Sequence, residues 1–153
     1  MMKTESNMQK YGNYKEQMGR LKKALNSQFY LEAISIEYAV LEDRVESVLR
    51  HSEVFRPKKH NTITKKLNRL SVLCGDNKLA GKYFTDELIS SIHEWKNERN
   101  PMTHALLNLH LHTEDLQKIA EDGEKLVKTM CSKSSLYNRA IDRKREKEGS
   151  MNV

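Results

Sequence analysis

The chain has 153 residues, 37% of them apolar and 31% charged, with 27 Lys and Arg against 21 Asp and Glu and a net charge of +6. That length fits one domain with its own core, and no apolar run approaches the length of a bilayer span. A basic balance is compatible with a nucleic-acid partner, whose phosphates dominate affinity, although much of the excess lies on ordinary helix surfaces and near the C-terminus. The first ten residues are polar and lack the apolar stretch of a signal peptide, so the expected location is cytoplasmic. Cys74 and Cys131 lie far apart with no Cys-x-x-Cys, which reads as two reduced structural thiols.

Residues 1–13 read as a flexible N-terminus, with a turn-like Tyr11-Gly12-Asn13. From Tyr14 to about Leu25 the spacing of Met18, Leu21 and Leu25 predicts a basic helix with one buried stripe. Asn26-Ser27 can cap a second helix running to about Ser52, whose wide apolar face (Tyr30, Ile34, Leu41, Val45 and Val48, widened by Phe29, Ala33, Ile36, Val40 and Leu49) marks it as central or as shared with a partner subunit. A polar connection follows, His51 to Asn61, with Arg56, Lys58, Lys59 and His60 clustered around Pro57. Asn61-Thr62 caps a helix to about Leu73, which Cys74-Gly75-Asp76-Asn77 ends; Lys78 to Tyr83 is ambiguous.

Thr85 is the next N-cap, and Asp86 and Glu87 suit the positive end of the helix it opens, with Leu88, Ile89, Ile92 and Trp95 along its apolar face. Asn100 then reads as an N-cap and Pro101 as the first residue of a new helix to about Leu111. Thr113 can cap the last helix, whose period is kept by Leu116, Ile119, Ala120, Leu126, Val127, Met130, Tyr137 and Ile141; Gly123 is its weak point. From Arg139 the sequence turns into a charged run expected to fray. No strand pattern competes. The expected fold is all-α, an up-and-down bundle of five or six helices over residues 14–142, followed by a charged, flexible tail over 143–153.

The junction around residue 100 carries the chemistry. The N-terminus of a helix starting at Pro101 offers free N–H groups and a positive dipole end, with Arg99 just before it and His104 in its first turn. An anion there would meet a guanidinium, backbone donors and an imidazole together. Each residue also has a plainer reading: Arg99 paired with Glu94 or Glu98, Asn100 only a cap, His104 a half-buried helix histidine.

Arg99-Asn100-x-x-x-His104 resembles the Arg-polar-x-x-x-His signature of HEPN domains, all-helical modules many of which are metal-independent ribonucleases. The resemblance spans roughly residues 15–140, although its specific part is six residues long, and the second helix, Phe29 to Val45, resembles the long second helix of some members. It implies an endoribonuclease in which His104 takes the proton from a ribose 2′-hydroxyl, Arg99 holds the scissile phosphate and Asn100 supports the site. The implied product is a 2′,3′-cyclic phosphate, without metal or cofactor, and DNA resists for want of the 2′-hydroxyl. One motif supplies one histidine, so the resemblance also implies a homodimer with the site across its two-fold axis. Family membership further suggests a bacterial toxin or phage-defence setting, with a cognate antitoxin as a possible partner. The alternative is a non-catalytic HEPN-like adaptor that binds RNA, nucleotide or a protein.

Arg56, Lys58 and Lys59 are candidate contacts to the RNA backbone, equally readable as solvated charge. Glu37, Glu42 and Asp43 on the second helix can assist catalysis or form a salt-bridged face. His93, His104, His110 and His112 lie close in sequence, but their spacing, with no cysteine or carboxylate to complete it, forms no clear zinc site. Trp95 reads as core.

Overall fold

A computed structural model describes the backbone of residues 5–108 and 113–151 and the side-chain surroundings of residues 12–99 and 113–149. Within it the chain forms α1 (Glu5–Asn26), α2 (Tyr30–His51), α3 (Ile63–Asp76), α4 (Lys78–Tyr83), α5 (Asp86–Asn108) and α6 (Thr113–Met151). The architecture is the expected all-α bundle. Among the described residues there is no strand, and no helix is long and apolar enough to cross a membrane.

The wide apolar face of α2 has the central role its sequence implies. Ile34, Leu41, Val45, Val48 and Leu49 are buried, and α2 packs most extensively on α6, then on α1 and α3. The facing stripe on α6 is Ala120, Val127, Met130, Tyr137 and Ile141, all buried. Their spacings of three, four and seven keep them on one side of a long helix. Helix α5 closes the bundle through Ile89, Ile92 and Trp95, packing on α3 and α6.

Capping follows side-chain chemistry in three places and departs from it in two. Thr62 accepts from Lys65 N at 3.2 Å and Thr85 from Leu88 N at 3.2 Å, as N-caps do. Asn77 caps the ambiguous segment, which proves helical, by accepting from Leu79 N and Ala80 N. Asn26-Ser27, expected to cap α2, instead belongs to the end of α1. Ser27 N bonds Lys23 O, Gln28 N bonds Leu25 O and Phe29 N bonds Ala24 O, with Gln28 at φ 63°. This is the 6→1, 5→2 closure of a Schellman motif, with glutamine in the left-handed position where glycine is usual. Phe29 becomes the N-cap of α2 and makes no side-chain cap bond. The same closure ends α2, with Val54 N on Leu49 O, Glu53 N on Arg50 O and Glu53 at φ 61°.

The second departure concerns the junction expected at Asn100. Helix α5 continues to Asn108, so Pro101 lies inside it and Asn100 does not open a new helix. Proline's fixed φ suits a helix; what it removes is its own N–H, the donor for the carbonyl four residues earlier. Both ends of the chain also carry more helix than expected: α1 begins at Glu5 and α6 reaches Met151. Within the expected tail, Arg145 hydrogen-bonds the carbonyl of His51 and lies 3.8 Å from the Glu53 carboxylate, tying it to the end of α2.

Candidate functional site

Charged residues interrupt two of the buried stripes. On α3, Lys66 falls among Ile63, Leu67 and Leu70 and is itself buried; on α5, Lys96 follows Ile92 and Trp95 and is 7% exposed. Helical spacing dictates this, because positions three and four apart share a face. Both side chains must therefore find partners in the seam where α2, α3 and α5 meet.

Lys66 finds two. Its Nζ donates to Glu42 Oε1 at 2.8 Å and lies 3.2 Å from Glu46 Oε1, both on α2. Burial alone would lower the ammonium pKa; the two carboxylates outweigh it and hold the pKa above its ordinary value. Burial likewise pushes Glu46 up, and its bonds to Arg50 and Lys66 bring it below the usual carboxylate range. Arg50 donates to Glu46 at 3.0 Å and lies 4.3 Å over the ring of Phe55, so the ion pairs run on to the connection after α2.

Lys96 finds no carboxylate among the described residues. Its Nζ donates to Thr64 Oγ1 across the α3–α5 seam. One turn later on α5, Arg99 is half-buried, and its guanidinium carbon sits 4.0 Å from the centroid of the Tyr38 ring. That is cation–π geometry. Tyr38 reports the surroundings of Arg99: burial raises its hydroxyl pKa, Glu42 adds to the rise, and Arg99 and Lys66 oppose it. The seam thus brings together Arg99, Tyr38, Glu42 and Lys66, with Lys96 one turn along. Among the described residues neither Glu94 nor Glu98 forms an ion pair with Arg99.

The other residues singled out by sequence distribute as follows. Asn100 and His104 lie on the helical backbone of α5, and their side chains fall outside the described residues, as do those of His110 and His112. Arg56, Lys58 and Lys59 are exposed. The Arg56 guanidinium turns back onto Phe55 O at 3.0 Å, and His60 closes this connection by accepting from Arg56 N on its Nδ1 at 2.9 Å. That bond needs an unprotonated Nδ1. Desolvation, then the cations Arg69, Lys59 and Arg56, hold the His60 pKa below its ordinary value. His93 is lowered in the same way, by burial and then by Lys96. Asp43 pairs with Arg44 at 2.6 Å, and Trp95 is core, donating Nε1–H to Ile119 O at 2.8 Å.

Glu37 departs from the solvated or salt-bridged face expected for it. It is fully buried, and neither carboxylate oxygen has a hydrogen-bond partner among the described residues. Burial, with a smaller push from Glu124, raises its pKa to about 9, so it is a neutral acid at neutral pH. Gly123 explains how it fits. A Cβ at that position would collide with Glu37 Oε1 and come within 2.7 Å of Trp95 Cζ2. The glycine that weakens α6 as a helix is what admits Glu37 and Trp95 to its face.

Among the described residues no group of three or more His, Cys, Asp or Glu side chains comes together as a metal site would require. Comparison with family models, with curated proteins and with solved structures finds no match to this chain. Neither motif nor apolar period singles out Tyr38, Thr64, Lys66 or Lys96. The signal was present in each lysine: a charge at a stripe position where the period demands an apolar residue.

Proposed function

We propose that the chain is a metal-independent endoribonuclease: the ribose 2′-oxygen gives its proton to a base and bonds phosphorus, the P–O5′ bond breaks, a histidine or water on the far side protonates the leaving 5′-oxygen, and a 2′,3′-cyclic phosphate end is left. The observation that carries this reading is the setting of Arg99: a guanidinium over Tyr38 with no carboxylate partner among the described residues. Stacking occupies the face of the cation and leaves its N–H groups at the rim for phosphate oxygens. Arg99 is the residue that binds the scissile phosphate and stabilises the charge building on it; His104 is the proposed base and Asn100 a supporting donor.

Positions 99 and 104 of one continuous helix lie about 140° apart around the axis and about 7.5 Å along it. They do not share a stripe. The homodimer, with its site across the two-fold axis, rests on the resemblance to HEPN domains, in which two motifs face one cleft. The setting of a cytoplasmic toxin or phage-defence effector, held by a cognate antitoxin, rests on the resemblance to HEPN domains alone.

The test is RNA cleavage in excess EDTA by the wild-type chain and by His104→Ala, with an assay of product ends. Cyclic-phosphate ends that His104→Ala abolishes are expected. No cleavage of varied RNAs by a folded, dimeric wild-type chain would overturn the reading in favour of a non-catalytic helical adaptor. One observation favours that second reading: α5 runs on through Pro101, which removes the helix N-terminus expected beside Arg99.

A further inference from the structure

Lys66 and Lys96 are comparably buried, at 6% and 7% exposure, yet among the described residues only Lys66 has its charge matched. Lys66 faces two carboxylates, whereas Lys96 has a threonine hydroxyl. A buried cation without a counter-charge is costly, and fixed anions or a bound one are the usual remedies. Among the described residues no carboxylate lies within ion-pair distance of Lys96 Nζ; its hydrogen-bond partner is the Thr64 hydroxyl. Thr64 is half-buried, and the proton of the hydroxyl that accepts from Lys96 finds no acceptor among the described residues. An ammonium and a hydroxyl proton, neither with an anionic oxygen among the described residues, stand side by side in the α3–α5 seam.

Lys96 and Arg99 are one turn apart on α5, a spacing that places their Cβ atoms about 5–6 Å apart on one face. This is of the order of the separation between successive phosphates of a single strand. We infer that Lys96 Nζ and Thr64 Oγ1 form a second phosphate subsite, which seats the phosphodiester next to the one Arg99 holds and so fixes the register of a single-stranded RNA on α5. The inference rests on the reading of the Arg99 face as an RNA site and deepens it. Lys96 is a positioning residue here, and the charge it lacks is supplied by the strand.

The experiment measures binding rather than cleavage. The probe is a non-cleavable 2′-O-methyl oligouridylate of about 12 nucleotides, titrated onto the full chain over a range of salt concentrations. Lys96→Met is expected to weaken binding about five- to tenfold at low salt and to reduce the slope of log affinity against log salt by about one. Its melting temperature without RNA is expected to equal or exceed that of the wild type. Thr64→Val, which keeps the volume and removes the hydroxyl, is expected to weaken binding less and to leave the slope in place. If Lys96→Met does not fold, Thr64→Val alone decides, and wild-type affinity in that variant overturns the inference.

An unchanged slope and affinity in a folded Lys96→Met overturns the inference while leaving the ribonuclease reading standing. Absence of any binding by the wild type overturns both. Loss of slope in a chain that fails to cleave RNA would sustain the subsite and overturn only the ribonuclease.

Discussion

On one side of α2, Glu37 meets Gly123 and Trp95 with no hydrogen-bond partner among the described residues; on another, Glu42 and Glu46 meet the ammonium of Lys66. The first seam resolves a buried ionisable group by keeping its proton. The second resolves one by supplying opposite charge, and among the described residues it gives Lys96 and Arg99 no carboxylate within ion-pair distance. A neutral acid packed against a tryptophan is a structural solution, since the Glu37 carboxyl itself carries no charge at neutral pH. Unmatched cations beside a stacked guanidinium leave a demand for anions that a phosphodiester meets. Burial of polar groups alone does not mark a site; burial with charge left over does.

The comparison can be broken most forcefully at Glu37. Its pKa is raised in the folded state, so folded and unfolded chains hold the same proton at acidic pH, and the unfolded chain gives it up first as pH rises. Stability is then lost at about 1.4 kcal/mol per pH unit, from the ordinary carboxyl range up to about 9, and levels off beyond. Between pH 5 and pH 7 this amounts to about 3 kcal/mol. In Glu37→Gln that slope should vanish. Urea unfolding at several pH values checks this, and parallel pH profiles for the two proteins would mean that Glu37 is ionised and matched in the fold.

Gly123→Ala sharpens the same seam. A helix interior gains about 1 kcal/mol from this exchange when the site is open. Here the new methyl meets Glu37 and Trp95, and overpacking of 1–3 kcal/mol is the ordinary scale. A net loss of about 1–2 kcal/mol in denaturant unfolding is expected. A gain would mean that the contact among Gly123, Glu37 and Trp95 is looser than described.

Lys66→Met probes the other seam and should cost about 1–2 kcal/mol, because Glu42 and Glu46 lose their common partner while both keep some access to water. The loss should shrink at acidic pH, where the two carboxylates can take up protons. Gln28→Gly touches neither seam and gives the smallest effect: a gain of about 1 kcal/mol from relieving the left-handed residue that closes α1.

Much of the fold can be read directly from apolar period and caps. The stripes of α2 and α6 announce themselves through Ile34, Leu41, Val45 and Val127, Met130, Tyr137, and Thr62 and Thr85 cap where their chemistry suggests. Asn26-Ser27 and Asn100-Pro101 mislead for a shared reason. Each is a sound local start signal, but a cap is worth about 1 kcal/mol. At Asn26-Ser27 the competing structure is the hydrogen-bonded Schellman closure of α1. At Asn100-Pro101 it is the continuation of α5 itself.

Of the candidate site, one residue is legible in the sequence. Arg99 stands out by its motif, yet its setting over Tyr38 depends on how α2 and α5 pack, which no local spacing encodes. Lys66 and Lys96 were hidden in plain view, because a lysine in a helix reads as surface until the stripe it interrupts is counted.

The most direct measurement of the central claim is the rate of RNA cleavage in excess EDTA by the wild-type chain and by Arg99→Lys. Lysine keeps the charge but loses the planar, stacked, bidentate donor. Metal-free cleavage by the wild type and a fall of about 10²- to 10³-fold in the variant are expected. Equal rates in the two proteins, or no cleavage by the wild type, would contradict the claim.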